Sequence, residues 1–291
     1  MQNPQPEPPV TAHTDATGPL ILGATGKVGR ALAKVWPDGA GLWQHRPGTA
    51  RPVIAGYPGQ ALEWDILGSA PPPLPRGISG MVVLAGVTDG DDTALERNTD
   101  LALAAVEAAK TAGIERVLVA STQAVYGTDS ARVNEATPCK PTAPYGRAKR
   151  AMEIALSGLP GVTCLRLGNV AGCDSLFRAA QNGPVTLDRF PDGHGPRRSY
   201  IGPETLAHVL TRLLDPALTL PPILNVASPG LVGMDAILHA AQVPFETRAA
   251  PAHALKTLEM DVSKLLGLVP LPQVSAQSLV GEVRRAGWRA P

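Results

Sequence analysis

Tyr145 and Lys149, in the stretch Tyr145-Gly146-Arg147-Ala148-Lys149, are the side chains in this chain best suited to proton chemistry. On a helix they stand one turn apart, about 6 Å of rise, so a phenol and an ammonium share one face. A nearby cation lowers a phenol's pKa from its free value of about 10. The tyrosine could then exchange a proton with a substrate hydroxyl near neutral pH. The stretch Ser121-Thr122-Gln123-Ala124-Val125-Tyr126-Gly127 offers Thr122 as a second hydroxyl for the same oxygen. A tyrosine and a lysine four apart also occur on helices by chance, so the pair needs support from the elements that carry it.

Those elements are legible as an alternation. Pro19-Leu20-Ile21-Leu22 is a short apolar run that leads into Gly23-Ala24-Thr25-Gly26-Lys27-Val28-Gly29, and Val28, Leu32 and Val35 then recur at helical spacing. A strand, a glycine turn and a helix start bring backbone N–H groups to a point where a pyrophosphate can sit. The third glycine, Gly29, lets helix and strand pack closely. Without the strand and helix around it the motif would be an ordinary turn. A second strand is predicted over Ala40 to Gln44, followed by His45-Arg46-Pro47. No acidic residue stands there to take ribose hydroxyls, and Arg46 suits a 2′-phosphate, which favours NADP over NAD; a solvated loop arginine is the plain alternative.

Glu63-Trp64-Asp65-Ile66 is predicted to close a third strand, with Asp65 or the adjacent backbone at Ile66 within reach of an adenine. Gly80 to Ala85 reads as a strand buried on both faces, ending in the small residues Ala85 and Gly86, against which a ribose or flat ring could lie. The alanine-rich helix expected over Thr93 to Ala112 places Asn98 on its apolar side. Asn98 is there either as a packing residue or as part of an active-site network. Arg116 to Ala120 is the next strand and delivers Ser121 and Thr122 at its carboxyl end, the edge where open parallel sheets bind ligands. The Tyr145 helix and a strand over Val162 to Leu167 follow. This alternation predicts an α/β, doubly wound parallel sheet of the Rossmann type.

After Gly168 the pattern loosens. The expected organisation is a tail over residues 1–17, too poor in apolar residues to order, a dinucleotide-binding domain over 18–170 that also takes parts of 197–228, and a small substrate-binding lid made mainly of 171–291. The chain has 291 residues, 44% of them hydrophobic, and a net charge of +1 with no basic run, which argues against a nucleic-acid partner. No stretch approaches the roughly twenty apolar residues of a membrane span, and the amino terminus lacks the pattern of a secretory signal. Cys139, Cys164 and Cys173 form no CxxC pair, so no metal site is expected and a reduced cytoplasmic setting fits.

Taken together, GATGKVG, Asp65-Ile66, STQAVYG, YGRAK, Leu165-Arg166-Leu167-Gly168-Asn169-Val170-Ala171-Gly172 and Arg198-Ser199-Tyr200-Ile201 resemble the extended short-chain dehydrogenase/reductases, the nucleotide-sugar epimerase and dehydratase family, from about residue 19 to 288. The resemblance implies Tyr145 as acid/base, Lys149 as its pKa partner and ribose ligand, and Thr122 as the Ser/Thr partner. It implies Asn98 as a structural asparagine, and Asn169 and Arg198 as substrate ligands, with Arg198 at a diphosphate. It implies a nucleotide-sugar substrate, NADP or NAD as cofactor, and is compatible with a homodimer. The family's dehydratases carry an Asp-Glu pair after the threonine, where this chain has Gln123 and Ala124. An amide and a methyl cannot serve as acid and base, so dehydration is disfavoured, and epimerisation or ketone reduction remains. Two further readings stay open: an NADPH-dependent reductase of a small carbonyl compound, which Arg198 counts against, and a non-catalytic dinucleotide sensor, which Tyr145 and Lys149 count against.

Overall fold

The computed structural model describes residues 18–37, 40–54, 61–252 and 254–290; the expected tail over 1–17 lies outside them. Seven parallel strands make the main sheet. They are β1 (Gly18–Leu22), β2 (Leu42–His45), β3 (Ala61–Glu63), β4 (Ile78–Val83), β5 (Val117–Thr122), β6 (Val162–Leu167) and β7 (Ile223–Val226), in the spatial order 7-6-5-4-1-2-3. The order reverses between β1 and β4, which pair directly, Leu20 with Met81 and Leu22 with Val83. That reversal opens a crevice at the carboxyl edge of the sheet.

The period of two along each strand divides the core. Ile21, Val82, Leu118 and Leu165 pack beneath helices α1 (Lys27–Val35) and α5 (Pro203–Leu213), while Leu20, Leu22, Met81, Val83, Val117 and Val119 pack on the other face. That second face is covered by α2 (Asp92–Thr111) and α3 (Pro144–Ala155), through Ala102, Ala105, Ala109, Met152 and Leu156. The alanines let α2 lie close to the sheet. Each helix faces the sheet with one apolar stripe and leaves its polar side outward.

A third, smaller core lies in the carboxyl-terminal part. It gathers α4 (Ser175–Asn182), α6 (Met234–Ala241) and α8 (Ala276–Arg285) around the parallel strands Val185–Arg189 and Phe245–Ala249. The Phe177 and Trp288 rings meet edge to face at 5.2 Å. By contrast, α5, β7 and the segment around Leu258, Met260 and Leu265 of α7 (Ser263–Leu268) join the main core. The strand predicted over 63–66 ends earlier, at Glu63, because Trp64 and Ile66 turn their side chains into the core while Asp65 and Leu67 start a turn.

Candidate active site

Glycine geometry builds the floor of the crevice. Gly23 has φ +92°, and a Cβ there would sit 2.6 Å from the Ala85 backbone nitrogen, so β1 can turn against the end of β4 only at glycine. A Cβ on Gly29 would collide with the Gly23 carbonyl. The helix α1 then starts at Gly26 with no side-chain cap and no acid in its first turn, leaving its amino-terminal N–H groups for an anion. A buried amide that the sequence reading passed over fixes this loop. The Gly23 N–H donates to Gln44 Oε1 at 2.8 Å, and Gln44 Nε2 donates to the Trp64 carbonyl at 2.5 Å. Gln44 is visible in the sequence only as a polar residue at the end of an apolar strand.

Asn98 resolves toward positioning. Its Nδ2 donates to the Val87 and Leu95 carbonyls at 2.9 and 2.8 Å, and its Oδ1 accepts from the Val87 N–H at 3.2 Å. It thereby holds the Ala85-Gly86-Val87 segment over the crevice. A Cβ on Gly86 would lie 2.7 Å from Asn98 Oδ1 and 3.3 Å from Lys149 Nζ, so a side chain there would fill space between the two.

The resulting cleft of about 640 Å³ is lined by Thr25, Gly26, Lys27, Val28 and Gly29 on one wall and by Gly86, Asn98, Tyr145 and Lys149 on the other. The glycine floor, the uncapped helix start and the buried lysine fit a dinucleotide. Lys149 is 4% exposed, and its Nζ donates to the Ala120 carbonyl at 2.9 Å with Met152 Sδ at 3.6 Å. Burial pulls its pKa down to about 8, an effect that Cys164 and Glu153 partly offset. Tyr145 departs from expectation. Burial, helped by Asp89, pushes its phenol up to about 12. The lysine that should lower it points to Ala120 and Met152, and desolvation outweighs any cation. The phenol therefore keeps its proton near neutral pH.

Thr122 lies at the end of β5 and caps the short 3-10 helix Gln123–Tyr126, its Oγ1 accepting from the Ala124 N–H at 3.2 Å. The cleft wall at this point is made by Ala120 and Ser121. Asn169 accepts from Gln123 Nε2 and donates to Asp174 Oδ2 at 3.3 Å. Asp174, with Cys173 and Arg178, lines the cleft and was not singled out from the sequence. Burial raises its carboxyl above the usual range, and its Oδ1 caps α4 through the Phe177 N–H at 3.1 Å.

Of the expected site residues, Gly23, Arg46, Asp65, Ile66, Ala85, Thr122, Asn169 and Arg198 are not among those that line the cleft. Arg198 is not brought to the cleft: its guanidinium donates to the backbone carbonyls of Arg197, Lys256 and Leu255 at 2.8, 3.2 and 2.7 Å. The nearest carboxylate in its stretch of sequence, Glu204, holds Arg285 instead, at 2.5 and 2.7 Å. Asp65 accepts from the Leu67 N–H at 3.3 Å and caps its own turn, so neither it nor Ile66 lines the cleft. Arg46 borders a second cavity of about 460 Å³, which shares Thr25 and Arg30 with the lining of the cleft and whose other cations are Lys34 and Arg51. Among the described residues no helix is long and apolar enough to cross a membrane.

Residues 80–185 match the NAD dependent epimerase/dehydratase family. Over 95 residues the chain is 40% identical to the UDP-glucose 4-epimerase of Azospirillum brasilense, a match covering 30% of this chain and 27% of that protein. Among solved structures, the UDP-glucose 4-epimerase of Bifidobacterium longum, in complex with NAD+ and UDP, superimposes with a TM-score of 0.71 at 16% identity, covering 93% of this chain and 98% of the other. An NAD-dependent NDP-hexosamine 5,6-dehydratase of tunicamycin biosynthesis has a TM-score of 0.70 at 16% identity, covering 92% and 97%. The chain thus carries the sequence pattern of the NAD dependent epimerase/dehydratase family over residues 80–185, set in the fold of the extended short-chain dehydrogenase/reductases.

Proposed function

We propose that this chain is an NADP(H)-using oxidoreductase or epimerase acting at a carbinol or ketone carbon of a nucleotide sugar. The observation that carries the reading is that Tyr145 and Lys149, one turn apart on α3, line the same cleft as the uncapped glycine-loop helix. A bound nicotinamide cofactor would supply or accept hydride. The chain's own residues would do the rest. The α1 N–H groups and Lys27 would hold the diphosphate. Lys149 would hold a ribose, and Tyr145 would give its phenolic proton to the substrate oxygen in the reducing direction. Thr122 and Asn169 are the proposed substrate contacts.

The four cations Arg30, Lys34, Arg46 and Arg51 around the second cavity support a preference for a 2′-phosphate, hence NADP. The solved relatives named above are NAD proteins, and the proposal separates this chain from them. We also keep dehydration out of the reading, because Gln123 and Ala124 offer no carboxyl and the Gln123 amide is engaged with Asn169.

The commitment of Arg198 to backbone carbonyls favours a second reading, in which the mechanism stays and the substrate is a small carbonyl compound without a diphosphate. A thermal-shift panel decides between them. With NADPH present, nucleotide sugars should raise the melting temperature by mass action. A panel in which small aldehydes and ketones are turned over and no nucleotide sugar stabilises the protein would establish the second reading.

A further inference from the structure

Behind the cleft lies a buried ion-pair cluster that the proposed mechanism does not use. Glu153 and Arg166 are both 2% exposed. Arg166 Nε donates to Glu153 Oε1 at 3.0 Å and its Nη2 to Oε2 at 2.8 Å. Arg150 Nη1 adds a third bond to Oε2 at 3.1 Å, and Ser121 Oγ a fourth to Oε1 at 2.6 Å. Stability alone is a weak reason for such a cluster, since buried ion pairs are often no better than apolar packing.

The place of the carboxylate suggests another reason. Glu153 stands one turn beyond Lys149 on the same helix, and Ser121, which holds it, follows Ala120, whose carbonyl holds Lys149. Both direct partners of the Lys149 ammonium, a carbonyl and a thioether, are uncharged. An ammonium taken out of water this way needs a charge of opposite sign nearby.

We propose that Glu153, fixed by Ser121, Arg150 and Arg166, is the counter-charge that keeps Lys149 cationic in the cleft, and so is a positioning residue of the site. The functional importance of that cation rests on the reading given above; its charge state does not. Besides Glu153, Cys164 on β6 acts on Lys149, and Tyr145 on α3, Asp89 and the uncharged Asn98 on α2 line the same cleft, while Arg150 and Arg166 bond Glu153 itself. Cys164, pushed up to about 12 by burial, carries no charge near neutral pH. Glu153, held below the usual carboxylate range by Arg166, Ser121 and Arg150 against the cost of burial, does.

The two partners of one cluster should therefore move Lys149 in opposite directions. Glu153→Gln keeps the hydrogen bond with Ser121 and removes the negative charge, so the lysine should lose its proton at lower pH, by about one pH unit for a charge at this range. Arg150→Met removes a half-exposed cation and should move the midpoint upward by about half a unit. The measurement is the pH dependence of acetylation of Lys149 by acetic anhydride, read by mass spectrometry on the protein without cofactor. Opposite shifts support the counter-charge. Shifts of one sign, or none, would overturn it and leave a packing role. If Glu153→Gln does not fold, Glu153→Met, which removes the same charge and keeps the side-chain volume, takes its place in the same measurement. Affinity for NADPH, followed in the same variants, tests the cofactor reading separately. An affinity that ignores the Lys149 midpoint would sink that reading and leave the counter-charge standing.

Discussion

The two walls of the cleft are built on opposite terms. On the glycine-loop wall, the groups that face the space are backbone N–H donors without side-chain caps and the cations Lys27 and Arg30, with Arg46 on the neighbouring cavity. On the carboxyl-terminal side, Asp174, which lines the cleft, caps a helix and accepts from Asn169, Asn169 is also bonded to Gln123, and Arg198, away from the cleft, is spent on three carbonyls. The first wall is preformed for an anion. The second is satisfied by itself, so a ligand there must displace existing bonds or be small enough to leave them. The glycine-loop wall is thus more open to a ligand than the carboxyl-terminal side.

The strongest test of that comparison is Tyr145→Phe. It should leave cofactor affinity in place and lower turnover by about a hundredfold or more, the scale of acid–base catalysis, as measured by steady-state kinetics on the substrate found in the thermal-shift panel. An unchanged rate would break the proposed mechanism.

Lys149→Met sharpens the comparison through stability. The lysine has a folded pKa of about 8 against an ordinary 10.5, so the unfolded chain binds more protons between those values and stability rises with pH across that window. Below pH 8 the buried charge costs roughly 3 kcal/mol. The Met variant should be more stable at pH 7, by on the order of 1 to 3 kcal/mol. It should also lack the rise between pH 8 and 10.5 in urea titrations.

Arg46→Asp should narrow or reverse the preference for NADPH over NADH, a change of about ten- to a hundredfold for one charge-assisted contact. Calorimetry on both cofactors checks it. A preference for NADH in the unaltered protein would make the basic cavity an ordinary solvated surface.

Arg198→Ala should have the smallest functional effect. It should lower thermal stability, since backbone carbonyls lose their donors, and change nucleotide-sugar affinity by less than about threefold, against the ten- to hundredfold of a diphosphate contact. A tenfold loss would return Arg198 to the substrate site.

Much of this was legible before any coordinates. The run Leu20-Ile21-Leu22 into Gly23, the helix over Tyr145 and Lys149, and the strand delivering Ser121 and Thr122 lie where local apolar periodicity puts them. Asn98 could be recognised as a buried amide, but its partners could not be named. Gln44 and Glu153 carried no local signal of their roles, and Asp174 only that of a helix cap. The contacts that tie them into the site reach Trp64, Asn169 and Arg166, which lie 20, 5 and 13 residues away along the chain.

The sequence by itself determined the order of strands and helices, the glycine turn and the one-turn spacing of Tyr145 and Lys149. These follow from backbone sterics and side-chain period, which act over a few residues. Tertiary structure alone decided the charge states and the partners. The phenol of Tyr145 is raised rather than lowered, Arg198 faces carbonyls, and Glu153 stands behind Lys149. Desolvation and ion pairing depend on everything packed around a group, and that surrounding shell is drawn from β5, β6, α2 and α3 together, so no local stretch of sequence contains it.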